Sequence, residues 1–350
     1  MPYNLHTVDR QTALSAWLQL QGLVAAAIAG NGDLTTYLIE EFSSTSHDLT
    51  ILTRSPLPKP LPPSSSSSSS SSKIRTIKTD YSPCSLLPIL SKTDVLISTI
   101  SPISAAYTKI HLALLTACQD SPTCKRFVPA EFAADIESYP DQPHFYFPFH
   151  EPVREALRAQ ADVEWTLVCI GWLADYFIPR KNRYIRDIDG FHPVDWSGRE
   201  IVIPGTGGEP VDFTWARDVA RGIVALVDAP PGRWGRYTFM RGERSCWNDA
   251  IHQVRKGGGF GGVAGFGMRW VSLRDTVEMV KNAKKKGDEE DEEEEEILML
   301  ADYYFLSMSL ACASPEDKVE ECRERYFGNL RFRTLREGLG QLDEDPDIIL

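Results

Sequence analysis

The stretch AGNGDLTTY, Ala29 to Tyr37, places two glycines one residue apart, after an apolar run and before a segment of helical periodicity. That arrangement suits a dinucleotide. The chain must turn sharply after a strand, pass close to a pyrophosphate, and aim helix N-terminal N–H groups at its charge. Gly30 and Gly32 meet the first two demands, because a Cβ at either position would obstruct the turn or the phosphate. Thr35 stands where the G-x-G-x-x-G pattern has its third glycine, and is small enough to serve in part where helix packs on strand. Asp33 would repel phosphates unless it caps the helix and points away. The next apolar run ends in LTRS, so Thr53, Arg54 and Ser55 stand roughly 20 residues on, where an acid would bind a ribose 2′-hydroxyl. An arginine without a carboxylate favours the 2′-phosphate of NADP(H).

These residues need a scaffold of alternating elements. LVAAAIAG reads as a buried strand, DLTTYLIEEF as a helix with Leu34, Leu38 and Phe42 on one face, and DLTILTR as a second strand. KIRTIKTD, DVLISTI, a helix from about Ser104, KRFVPAEF, a helix over Val153 to Gln160, and EWTLVCIGW continue the pattern. Strands apolar on both faces and separated by helices imply an α/β fold of Rossmann type, a parallel sheet with helices on both faces. The expected organisation is an NADP-binding domain over 23–170 and a smaller α/β C-terminal substrate lobe over 171–350. Residues 1–22 form an extension without the features of a secretory signal.

Low-complexity segments interrupt this order. The Pro/Ser tract over 56–72 buries too little surface to fold and reads as a disordered loop. Residues 257–296, glycine-rich and then acidic, read as a flexible insertion; the glycine run lacks the preceding strand and helix-opening lysine of a phosphate cradle. With 42% hydrophobic residues in 350, the chain can bury one large core and a smaller one, and it has no apolar run of membrane-spanning length. A formal net charge of -12 repels a phosphate backbone, so direct nucleic-acid binding is not expected. The seven cysteines lack C-x-x-C spacing and read as reduced thiols, with no metal site. A cytoplasmic location is the default expectation.

In order along the chain, AIAGNGDLTTYLIEEF, VLISTIS, KRFVPAEFAADI, FHEPVREALR, EWTLVCIGWLADYF, FTWARDVARGIVALV and ERSCWNDAI resemble the NmrA-like and isoflavone-reductase-like branch of the atypical short-chain dehydrogenases, particularly its fungal members. The likeness runs from about Leu23 to Ile251, and FGNLRFRTLREGL resembles the family's C-terminal segment. It implies a Rossmann domain holding NADP(H) and a C-terminal lobe that forms the substrate pocket. Carried onto this chain, the family pattern sets Gly30, Asn31, Gly32, Asp33 and Leu34 at the pyrophosphate, and Arg54 at the 2′-phosphate. Ser98, Thr99 and Ile100 would pass beneath the adenosine and ribose, with Pro129, Glu131 and Phe132 along the nicotinamide half.

The Tyr-x-x-x-Lys pair of short-chain dehydrogenases is absent. Where reductases of the resembled branch carry a proton-transferring lysine before x-x-V-R, this chain has His150, with Tyr146 four residues upstream. A lysine holds a fixed charge, whereas a histidine both donates and accepts a proton around neutrality, which suits carbonyl or enone reduction. Pro148 tends to start a helix, so the sequence does not require Tyr146 and His150 to share a face. Trp172, Tyr176 and Phe177 either wall an aromatic substrate or form the core between the two lobes. Two functional readings follow. One is an NADP-dependent oxidoreductase of secondary metabolism that reduces a small aromatic or unsaturated carbonyl compound; the other is a non-catalytic NAD(P)-binding regulator with a protein partner.

Overall fold

The computed structural model describes residues 23–57, 73–188, 190–256, 262–283 and 292–350. The extension 1–22, most of the Pro/Ser tract, the first part of the glycine run and residues 284–291, which open the acidic run, lie outside the described residues. The first half alternates β1 (Ala25–Ala29), α1 (Asp33–Ser43), β2 (Asp48–Thr53), β3 (Ile74–Lys78), α2 (Pro83–Leu90), β4 (Val95–Ser98), α3 (Ala105–Asp120), β5 (Arg126–Val128), α4 (Phe147–Arg158) and β6 (Glu164–Trp165). These six strands form a parallel sheet in the order β3-β2-β1-β4-β5-β6. Ala26 to Ala29 are all buried because helices cover both faces of the sheet, which is why β1 reads as a continuous apolar run. Strand order reverses between β1 and β4, and the crevice at their carboxyl ends is where open α/β sheets bind ligands.

The second half adds β7 (Leu167–Cys169), β8 (Trp172–Leu173), β9 (Val194–Asp195), β10 (Glu200–Pro204), β11 (Pro210–Thr214), α5 (Ala216–Asp228), β12 (Tyr237–Phe239), β13 (Glu243–Cys246), α6 (Trp247–Lys256), β14 (Gly267–Val271), α7 (Leu273–Ala283), α8 (Glu292–Met308), α9 (Glu316–Tyr326) and α10 (Leu335–Glu344). EWTLVCIGW is therefore not one strand. Its start extends the large sheet as β6, its middle pairs with β12, and its end pairs with β11. Gly171 makes the last break: its φ is +65°, and a Cβ there would lie 2.2 Å from the Asp212 carbonyl oxygen. Beyond residue 170, α5, β12 and α9 supply Val219, Ile223, Phe239 and Val319 to the core of the large sheet. A second core gathers Trp172, Phe177, Phe213, Trp215 and Trp247.

Residues 262–283 depart from the flexible insertion read for 257–296. GMRWV runs parallel to β10, and Ser272 and Asp275 cap α7 reciprocally, Ser272 N–H to Asp275 Oδ2 at 2.9 Å and Asp275 N–H to Ser272 Oγ at 3.2 Å. Among the described residues no single helix is long and apolar enough to cross a membrane.

Asp175 ties the two cores together. Its Oδ1 accepts from the Tyr37 hydroxyl of α1 at 2.9 Å, and its Oδ2 from the Ala216 N–H that opens α5 at 2.7 Å. Burial pushes this carboxyl up to about 6, against the lowering effect of those two donors. A carboxyl raised in the folded state stabilises fully below its unfolded value near 4 and loses that contribution as pH rises through about 6. Buried His111 and His192, held down to about 4 and about 3, act with the opposite sign, losing stability as pH falls below about 6.5. Equilibrium unfolding of wild type and Asp175→Asn cancels the histidines. The stability difference is expected to shift against wild type by on the order of 3 kcal/mol between pH 4 and 7.

Candidate active site

The glycine turn is built as its spacing demands. Gly30 has φ +119° and donates its N–H to the Leu52 carbonyl at 2.9 Å, and a Cβ there would lie 2.4 Å from Thr99 Oγ1. Only glycine takes that backbone and that contact without strain. Gly32 is different: a Cβ would meet nothing nearer than the Thr99 carbonyl oxygen at 3.9 Å, so packing within the chain does not require glycine there. Gly32 is also the N-cap of α1, and no side chain caps that helix, which leaves first-turn N–H groups facing the crevice beside β4. These features fit a pyrophosphate. Thr35, in place of the third glycine, is buried and pairs its hydroxyl with that of Thr99 at 2.8 Å.

Asp33 does point away from the turn, though not as a helix cap. Its Oδ2 accepts from Arg186 N at 2.8 Å and Nε at 3.0 Å, binding the turn to the second half of the chain. Asn31 donates to the Pro56 carbonyl at 3.0 Å, and the Thr53 hydroxyl to that of Ser55 at 2.6 Å, which fixes the chain after β2. Arg54 is exposed at the end of that strand, its guanidinium 5.7 Å from the centre of the Tyr81 ring. Ser98 is buried at the end of β4, and its Oγ accepts from the Ile100 N–H at 3.3 Å.

The second cluster lies where β5 ends. Pro129 is buried, Phe132 is forced to φ +39°, and Glu131 turns its carboxylate into the protein. There Arg154 grips it with two hydrogen bonds, Nε to Oε1 at 2.9 Å and Nη2 to Oε2 at 2.8 Å, while His150 Nδ1 meets Oε2 at 2.9 Å. Burial alone would raise the Glu131 carboxyl, but its hydrogen bonds to Arg154 and His150 outweigh this and hold it at about 2. An ionised carboxylate only accepts, so the proton of the bond with His150 sits on Nδ1. The imidazole is clamped between the rings of Tyr107, 3.6 Å between centroids, and Tyr146, 4.9 Å.

Tyr146 and His150 therefore do share a face, because α4 begins at Phe147, earlier than the Val153 start read from sequence. Pro148 falls in the first turn, where its missing N–H is not needed, and the His150 N–H donates to the Tyr146 carbonyl at 3.0 Å. The cavity in front of this cluster has a volume of about 270 Å³ and is lined by Leu34, Thr99, Ser101, Glu131, Phe132, Tyr146, Trp172, Tyr176 and Tyr303 among others. The His150 ring is not part of that lining and is almost fully buried. Phe177 is also no substrate wall. It is fully buried against Phe213 and Trp247, while its neighbours Trp172 and Tyr176 face the cavity. Five places from Trp172, at the far edge of a 3₁₀ turn (Ala174–Phe177) and not in a continuous strand, Phe177 points the other way.

No family model matches the sequence. A protein named Oxidoreductase swnR from Metarhizium robertsii is 57% identical over 328 residues, covering 93% of this chain and 99% of that protein. An isoflavone reductase homolog, A622 of Nicotiana glauca, is 26% identical over 207 residues, covering 58% of this chain and 63% of its own. Among solved structures, AtPrR2 with NADP+ and (+)pinoresinol superposes with a TM-score of 0.66 at 15% identity, over 91% of this chain and 98% of that one, and so shares the fold.

The chain belongs to the NmrA-like, isoflavone-reductase-like family of oxidoreductases.

Within that family framework, several site residues escaped sequence reading. Arg154 stands four residues after His150 on the same helical face, a spacing that α4 makes legible once its true start is known. Ser101 and Tyr303 had no such signal: one lies in the loop after β4, and the other follows the acidic run in ADYYFLSM. The Glu131 cluster dictates the cost of altering it. Glu131→Gln strands the buried Arg154 guanidinium and is expected to cost about 3–5 kcal/mol. His150→Phe keeps the ring stack, removes one donor, and is expected to cost about 1–3 kcal/mol. Denaturant unfolding of both variants checks the ranking.

Proposed function

We propose that this oxidoreductase uses NADPH to reduce a small aromatic or unsaturated carbonyl compound. The observation that carries the reading is the placement of Tyr146 in the lining of a cavity shared with Leu34, just after the glycine turn, and Thr99, just after β4. Gly30, Gly32 and the N–H groups of α1 would hold the pyrophosphate, Arg54 the 2′-phosphate, and Thr99, Glu131 and Phe132 would flank the nicotinamide. The bound dinucleotide supplies a hydride. The chain supplies the rest: Phe132, Trp172 and Tyr176 exclude water and hold a flat acceptor, and Tyr146 delivers a proton to its oxygen. His150, clamped behind Tyr146 and bonded to Glu131, fixes the orientation of that phenol.

One observation favours the regulator reading instead. The family lysine is replaced by His150, and that imidazole is shut off from the cavity. The two readings part in solution. NADPH is expected to bind, followed by nicotinamide fluorescence, with affinity falling at least tenfold in Arg54→Ala while NADH binding changes little. Acceptor-dependent oxidation of NADPH by wild type, lowered roughly 100-fold or more in Tyr146→Phe, supports the reductase. Binding without oxidation across carbonyl and enone acceptors supports the regulator, and no binding of either nucleotide overturns both.

A further inference from the structure

We propose that Ser101 and Tyr303 are positioning residues for proton delivery, holding the Tyr146 oxygen at the cavity. The inference rests on the reading of Tyr146 as proton donor and names the device that prepares it. The three hydroxyls meet at the cavity from three separate elements: Ser101 from the loop after β4, Tyr146 at the start of α4, and Tyr303 from α8. Ser101 and Tyr303 line the cavity together with Tyr146, and their hydroxyls act on the Tyr146 phenol in the lowering direction, against the upward push of burial.

The approach of α8 is built in. Asp302 Oδ2 accepts from the Phe145 N–H at 3.1 Å, and the Phe145 ring packs on Tyr303 at 5.0 Å between centroids. Tyr303 is further wedged against Trp172 at 5.7 Å and Phe191 at 5.2 Å. One residue of α8 therefore grips the backbone beside Tyr146 while the next faces its hydroxyl.

The chemistry needs such donors. When hydride reduces the acceptor carbon and oxidises the dihydronicotinamide, the carbonyl π pair moves to oxygen and takes the Tyr146 proton. The O–H bond of Tyr146 breaks, its electron pair stays on the phenolic oxygen, and solvent later returns a proton. A phenolate at that position is disfavoured by burial and by the nearby Glu131 carboxylate, and the hydroxyls of Ser101 and Tyr303 work against both without cancelling them. The other titratable groups facing Tyr146 are His150 on its own helix, Tyr107 of α3, Tyr176 after β8 and Tyr303 of α8.

Tyr303→Phe keeps the ring among Phe145, Trp172 and Phe191 and deletes only the hydroxyl. It is expected to lower kcat about tenfold with KM for NADPH and acceptor within about twofold, and to enlarge the solvent hydrogen isotope effect on kcat. Ser101→Ala is expected to act in the same direction. A second readout is independent of turnover: a fluorinated tyrosine placed at position 146 is titrated by 19F NMR with and without Tyr303→Phe. Its midpoint is expected to rise by about one pH unit in the variant. An unmoved midpoint, or a loss confined to KM, overturns the proposal. If wild type reduces no acceptor, the reductase reading falls, and the 19F midpoint alone decides whether the hydroxyls are coupled.

Discussion

A buried carboxylate at the end of β5 sets the geometry on which the site depends. Glu131 cannot stay ionised inside the protein without donors, and both side-chain donors come from one face of α4, a turn apart. That pairing draws α4 onto the end of β5, fixes the imidazole of His150, and through the ring stack places Tyr146 at the cavity. Arg154 also donates to the Pro140 carbonyl at 2.5 Å, so the long connection between β5 and α4 closes on the same guanidinium. Phe132 takes its strained backbone one residue later, where the chain must leave β5 with Glu131 turned inward.

The rest of the molecule holds this cluster against the glycine turn. Carboxylates accept in several of the contacts that cross between the halves, among them Asp33 for Arg186, Asp175 for Tyr37 and Asp302 for the Phe145 backbone. A carboxylate accepts several directional bonds at once, so each defines an orientation where apolar packing alone would tolerate sliding. The cavity walls then follow from elements far apart in sequence. Leu34 comes from the first turn of α1 and Thr99 from just after β4, Trp172 and Tyr176 from the break after β7, and Tyr303 from α8.

The glycine-turn half of this arrangement was legible because local rules govern it. Gly30 and Gly32 between a strand and a helix, and Arg54 at the next strand end, report backbone needs and charge that no distant residue alters. The parallel order of the sheet followed from strands apolar on both faces. The cavity half was not legible in the same way. Trp172 and Phe177 are equally aromatic, and only the 3₁₀ turn between them decides which faces the cavity. The start of α4 was hidden by Pro148 and Pro152, which lower helix propensity although the first turn tolerates the former. The strand and helix over 262–283 lay between two low-complexity runs, and their signal, the Ser272 and Asp275 capping pair, is short.

The histidine in the place of the family lysine makes sense within this charge balance. Arg154 already neutralises Glu131 in a site that excludes water, and a lysine at position 150 would bring a second fixed cation beside it with no second carboxylate to meet it. An imidazole gives Glu131 the N–H that it still accepts, without that obligatory charge, and its flat ring fills the slot between Tyr107 and Tyr146 that an alkyl ammonium would leave loose. With the residue before x-x-V-R turned inward to the carboxylate, the polar atom that α4 presents to the cavity is the phenol of Tyr146. Both replacements, imidazole inside and phenol outside, answer the single constraint that Glu131 imposes.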